Sequence, residues 1–245
     1  MILSIRLEMT KWKRSRMVWM TFLGSVVAPF FALISSLQTM NQTQQFKSWN
    51  ELFAVAFQIN HLLFYPFIFG AVASYVFVQE YQGGAIINLF TLPVSRARII
   101  VSKIITVFLF VMLLSLVSTA VTFLFGWKFT STPLDWNLFI RNFQLAMETT
   151  LMQFMLVPII ICIGLWTKHF VPPLVGAGLF VVLNFVSFVS SSVGPFIPTA
   201  IPTFVVLQHV GWNQFFIPFV WTMLIPIFVL FTGISFYIVM TRDVA

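Results

Sequence analysis

The chain has 245 residues, of which 60% are hydrophobic and only 8% charged, and its mean hydropathy is +0.99. A water-soluble domain of this length would lack the polar residues to cover its surface, so the composition excludes one and puts the chain in a bilayer. The net charge of +7 does not point to nucleic acid, because the cations stand beside apolar segments and form neither a basic domain nor an RNA-binding motif.

From the N-terminus, Ile2, Ile5, Met9 and Trp12 recur at helical spacing with Arg6, Thr10 and Lys13 around them. That pattern suits a helix lying among lipid headgroups, with a solvated basic tail as the competing reading. The apolar run that follows, 18–37, is too long for a signal-peptide core and no small-x-small site closes it, so it reads as an uncleaved first span. About 20 apolar helical residues cross a hydrocarbon core of about 30 Å. Five further stretches meet that length: 52–78, 104–125, 143–166, 170–190 and 216–240. None alternates as a β-barrel strand would. The fifth has Pro172 and Pro173 at its entrance and Ser190 to Ser192 at its exit. Residues 1–245 thus read as one all-α integral membrane domain with six transmembrane helices, which places both termini on one side.

Cation counting chooses the side. With the N-terminus inside, Arg6, Lys11, Lys13, Arg14, Arg16, Arg96, Arg98, Lys103, Lys168 and Arg242 are cytoplasmic, against Lys47, Lys128 and Arg141 outside. Ten against three is the positive-inside bias of a chain with cytoplasmic termini.

The connection between the second and third spans carries more than a turn needs. Glu80 stands at its start, Gly83 and Gly84 permit a bend, 85–92 is an apolar run closed by Pro93, and Arg96, Arg98 and Lys103 follow. Ile86, Leu89 and Phe90 would form one face of a short helix, laid either into a partner's groove or onto lipid headgroups. Glu80 either orients that helix through Arg96 or Arg98 or is simply solvated beside them. The order Glu80, the glycine pair, Leu89, then Leu92-Pro93-Val94-Ser95-Arg96 and Lys103 resembles the permease subunits of type-2 ATP-binding-cassette exporters. The resemblance implies a cytoplasmic coupling helix that touches an ATPase, with Glu80, Gly83, Gly84, Ile86, Leu89, Phe90, Leu92, Pro93 and Arg96 as the coupling residues, and it tips Glu80 toward a structural hinge role. It also implies ABC ATPase subunits that hold ATP and Mg, no cofactor in this chain, a second permease subunit, identical or related, and a bacterial cell membrane. Length and aromatic content are similar to those of lantibiotic-immunity and bacitracin-resistance permeases, which implies a hydrophobic or amphiphilic cargo such as an antimicrobial peptide.

Polar residues inside the spans stand out because burial without a partner is unfavourable in lipid. Gln58, Asn60 and His61 sit toward the outer end of the second span above Phe64, Tyr65, Phe67 and Phe69, and they either face interfacial water or line an export path. On the fifth span Gly176, Phe180, Asn184, Ser187 and Ser191 form a stripe of helix-packing type. Asn60, His61, Phe64, Asn184 and Ser187 are the candidate path residues. Glu148 lies near the external end of the fourth span, where solvation suffices. Between the fifth and sixth spans Gly194, Pro195, Pro198 and Pro202 break a still apolar segment, which predicts short external helices, capping the path if the resemblance holds.

No phosphate-binding loop, zinc-helix motif or nucleophile elbow occurs. His61, His169 and His209 are scattered and Cys162 is single, which gives no support for a metal site or an intramolecular disulfide. The chain reads as a transport subunit powered by another protein. A membrane protein not driven by ATP, a channel or an intramembrane enzyme, is the alternative.

Overall fold

A computed structural model describes residues 16–43, 48–82, 95–130, 133, 135–189, 194–211 and 219–241. All regular structure among these residues is helical: α1 (Arg16–Thr43), α2 (Trp49–Ile59), a π-helical turn (Asn60–Phe64), α3 (Tyr65–Gln82), α4 (Arg96–Phe129), α5 (Trp136–Phe154), α6 (Val157–Thr167), α7 (Val171–Ser187), 3-10 turns at Gly194–Phe196 and Pro198–Ala200, α8 (Ile201–His209) and α9 (Val220–Thr241). Among the described residues five helical stretches are long and apolar enough to cross a bilayer: Trp19–Met40, Trp49–Gln82, Arg96–Phe129, Trp136–Thr167 and Val220–Thr241. The expected fifth span, 170–190, is a shorter apolar helix of 17 residues. The expected N-terminal interfacial helix lies outside the described residues.

The fourth stretch corrects the expected 143–166 in two ways. It starts at Trp136, where Asp135 caps the helix by accepting from the Asn137 backbone N–H, and it is broken at Met155 and Leu156. The break has a local cause: Pro158 has no N–H to offer the Phe154 carbonyl, and its ring excludes a regular turn there. The second stretch likewise begins early, at Trp49, because Ser48 and Glu51 form a reciprocal capping box.

α3 forms the axis of the molecule. Over 18 residues of the stretch that contains it 72% are buried, as in Trp136–Thr167, against 22% over as many residues of α9 at the edge. Its Tyr65, Phe69, Val72, Val76 and Phe77 build one core with Val107, Val111 and Leu114 of α4 and Ile161 and Leu165 of α6. A second core joins α6 and α7 to α8 around Ile160, Ala177 and Phe204. The α3–α7 approach requires Gly70, since a Cβ there would run into the Ala177 methyl. α8, nine residues long, is too short to cross a bilayer; it packs on α2 and α5, where its buried Val206 meets Trp49, Phe53, Phe57 and Leu145, while its Phe204 and Leu207 belong to the second core. This is the short helix expected between the last two long apolar stretches.

Candidate functional site

Two constellations of polar side chains lie inside the bundle. The first stands where α3 leads into residues 83–94 and α4 leads out. Glu80 accepts an ion pair from Lys103 at 3.0 Å, with only 6–7% of either side chain exposed. The Lys103 ammonium also donates to the Val76 carbonyl at 2.6 Å and sits 5.7 Å from the Phe77 ring centre. The pair clamps the last turn of α3 to the second turn of α4. This corrects the expected pairing of Glu80 with Arg96 or Arg98, as well as its expected solvation. Arg96 instead reaches the end of α9, donating to the Val239 and Met240 carbonyls at 3.3 and 3.4 Å. A guanidinium there complements the negative end of that helix. Gly83, Gly84, Ile86, Leu89, Phe90, Leu92 and Pro93 lie outside the described residues.

The second constellation surrounds the π turn. Within it the Tyr65 N–H bonds the Asn60 carbonyl, so the His61 carbonyl loses its usual donor. Pro66, which has no N–H, cannot serve the Leu62 carbonyl four residues earlier. Asn184 of α7 supplies both, its Nδ2 donating to the His61 and Leu62 carbonyls at 3.1 Å each. Around this exchange the Asn60 Nδ2 donates to Ser118 of α4 at 2.8 Å, and Ser115 shares a 2.6 Å hydrogen bond with Thr150 of α5. The Tyr65 hydroxyl lies beside Ser115 and Ser118, its ring meets His61 edge-on at 4.9 Å, and Gln153 stands beside the imidazole. Asn60, His61, Asn184 and Ser187 are fully buried, and Phe64 is half-buried.

Two consequences follow. Asn60 and His61 do not face water in this conformation, which corrects the interfacial reading, and Ser187 is spent locally on the Asn184 carbonyl at 2.6 Å. Furthermore, five buried atoms of the cluster make no hydrogen bond of good geometry: Asn60 Oδ1, both His61 nitrogens, Gln153 Oε1 and Asn184 Oδ1. Among the described residues no group of three or more His, Cys, Asp or Glu could hold a metal ion.

Comparison with known proteins gives the family. Residues 4–187 match the family described as ABC-2 family transporter protein. A similar protein is the bacitracin transport permease protein BCRB of Bacillus licheniformis, 32% identical over 108 residues, which cover 44% of this chain and 52% of that protein. The chain thus spans about half the length of that relative. With three quarters of its residues inside the family match and five helices long enough to span a bilayer, the chain is a multi-pass membrane protein that belongs to the ABC-2 family of transporter proteins.

Proposed function

We propose that the chain is the membrane subunit of an ATP-driven ABC exporter in a bacterial cell membrane, with six spans and both termini in the cytoplasm. The family match carries this reading. The name of the relative, a bacitracin transport permease, supports an amphiphilic or hydrophobic cargo such as an antimicrobial peptide. Val171–Ser187 serves as the fifth of the six spans, since 17 helical residues reach about 26 Å, close to the hydrocarbon thickness. The ten-to-three cation bias puts residues 83–94 on the cytoplasmic side, where ATPase subunits bind.

In this reading a second permease subunit, identical or related, encloses the path, and ATP and Mg belong to the ATPase chains. ATPase closure pushes on residues 83–94. Because the Glu80–Lys103 pair ties the two helices flanking that segment, the push moves α3 and α4 as a unit. α3 packs on α6 and α7, so the displacement reaches the rest of the bundle and switches access between two states. The test is Leu89→Asp in the assembled exporter: ATPase association or transport falls while membrane insertion is unchanged. Normal assembly together with normal transport in that variant refutes the coupling role.

A further inference from the structure

We propose that the polar cluster between α3, α4, α5 and α7 is a hydration site, which binds ordered water inside the subunit through Asn60, His61, Gln153 and Asn184. The Asn60 Nδ2 is committed to Ser118 and the Asn184 Nδ2 to two backbone carbonyls, which fixes both Oδ1 atoms as unpartnered acceptors. Gln153 Oε1 is a third. Acceptors cannot satisfy one another, and a neutral imidazole contributes one N–H and one further acceptor.

The hydroxyls as they stand do not satisfy these acceptors. Ser187 donates to Asn184's own carbonyl and Thr149 to the Leu145 carbonyl, while the Ser115–Thr150 bond uses one of its two O–H groups. In this arrangement acceptors outnumber the donors aimed at them, and a ligand that brings donors completes the cluster. No carboxylate is among the groups that meet in the cluster, so a cation would lie uncompensated in a low-dielectric interior. Water is neutral, offers two donors, and fits a buried site with several polar partners. Contacts bridged by water can also be exchanged without leaving backbone carbonyls bare, which gives α7 a way to move against the π turn. The hydration site does not depend on ATPase coupling.

The test is X-ray hydroxyl-radical footprinting of the full chain in lipid nanodiscs. His61 and Tyr65 are as buried as Phe53 and Phe204, so exposure alone predicts equal protection. Bound water predicts oxidation of His61 and Tyr65 severalfold faster than of the two phenylalanines, with label from freshly mixed oxygen-18 water entering more slowly than at surface residues. Equal protection of all four overturns the site, and so does label uptake at the surface rate, which would mean transient opening. Gln153→Leu, checked for folding by its melting temperature, should lower the oxidation of His61; unchanged oxidation in a folded variant also counts against it.

Discussion

Replacing Lys103 by Met leaves the Glu80 carboxylate in a place with almost no access to water. At 3.0 Å the two charges attract by about 5 kcal/mol for an effective dielectric constant of about 20, and desolvation of both ions offsets much of that. The net value of the pair is therefore small, whereas removing one partner costs about 3–5 kcal/mol because the other charge stays buried without that counter-ion. The lost 2.6 Å hydrogen bond to the Val76 carbonyl adds to the effect. For a chain of this size each kcal/mol moves the melting temperature by about 2–4 °C, so Lys103→Met should melt roughly 6–20 °C lower. Glu80→Gln should be affected in the same direction. The double variant Glu80→Gln/Lys103→Met, which holds no unpaired charge, should recover most of the loss. Thermal unfolding at one fixed scan rate in the same detergent checks this. Single variants that melt with the parent, or a double variant as unstable as the sum of the singles, would refute the buried-clamp argument.

Three further outcomes follow from the geometry. Gly70→Val puts a branched side chain into the Ala177 methyl and should cost about 1–3 kcal/mol by overpacking; Gly178→Ala, one residue past Ala177 with nothing within 4 Å, should be neutral or slightly stabilising, and thermal unfolding compares them. Burial, followed by the nearby Arg141, holds the His209 imidazole below its ordinary value, so the folded state prefers it neutral. Stability linked to His209 is then complete above about pH 6.5 and falls as pH drops below it, and a His209→Gln variant should lose less melting temperature on acidification than the parent. Single cysteines at Asn137 and Ser95, both exposed, should differ in intact cells: an impermeant thiol reagent labels the first and not the second, and the reverse pattern overturns the orientation.

Much of the fold was legible because hydropathy reports directly on burial in lipid. Long apolar runs marked the spanning helices, and Pro198 and Pro202 marked the short helix at Ile201–His209. What escaped was amphipathic or long-range. The first turns of α5 carry Asn137, Arg141, Asn142 and Gln144, so an apolar count begins at residue 143 although the helix begins at Trp136. The capping box of Ser48 and Glu51 was readable as S-x-x-E before an apolar run. The partner of Glu80 was sought among the nearest cations in sequence, but α3 and α4 run side by side and bring Lys103 to it. A Glu at the foot of one apolar stretch and a Lys at the foot of the next was the available signal. The bond from Asn184 to the Leu62 carbonyl also had one: Pro66, four residues on, leaves that carbonyl without its helical donor, and a donor inside the bundle has to come from another element. Residues 83–94, the proposed docking segment, lie outside the described residues, and of the expected coupling residues only Glu80 and Arg96 are described.

The most direct measurement is the ATPase activity of the chain purified from its native membranes in mild detergent, before and after removal of whatever binds to it. The account predicts a co-purifying ATPase with a phosphate-binding loop, turnover that changes when an amphiphilic peptide is added, and no hydrolysis or tight ATP binding by the chain alone. A chain that purifies without an ATPase and still moves its cargo across liposomes in the absence of ATP would contradict it.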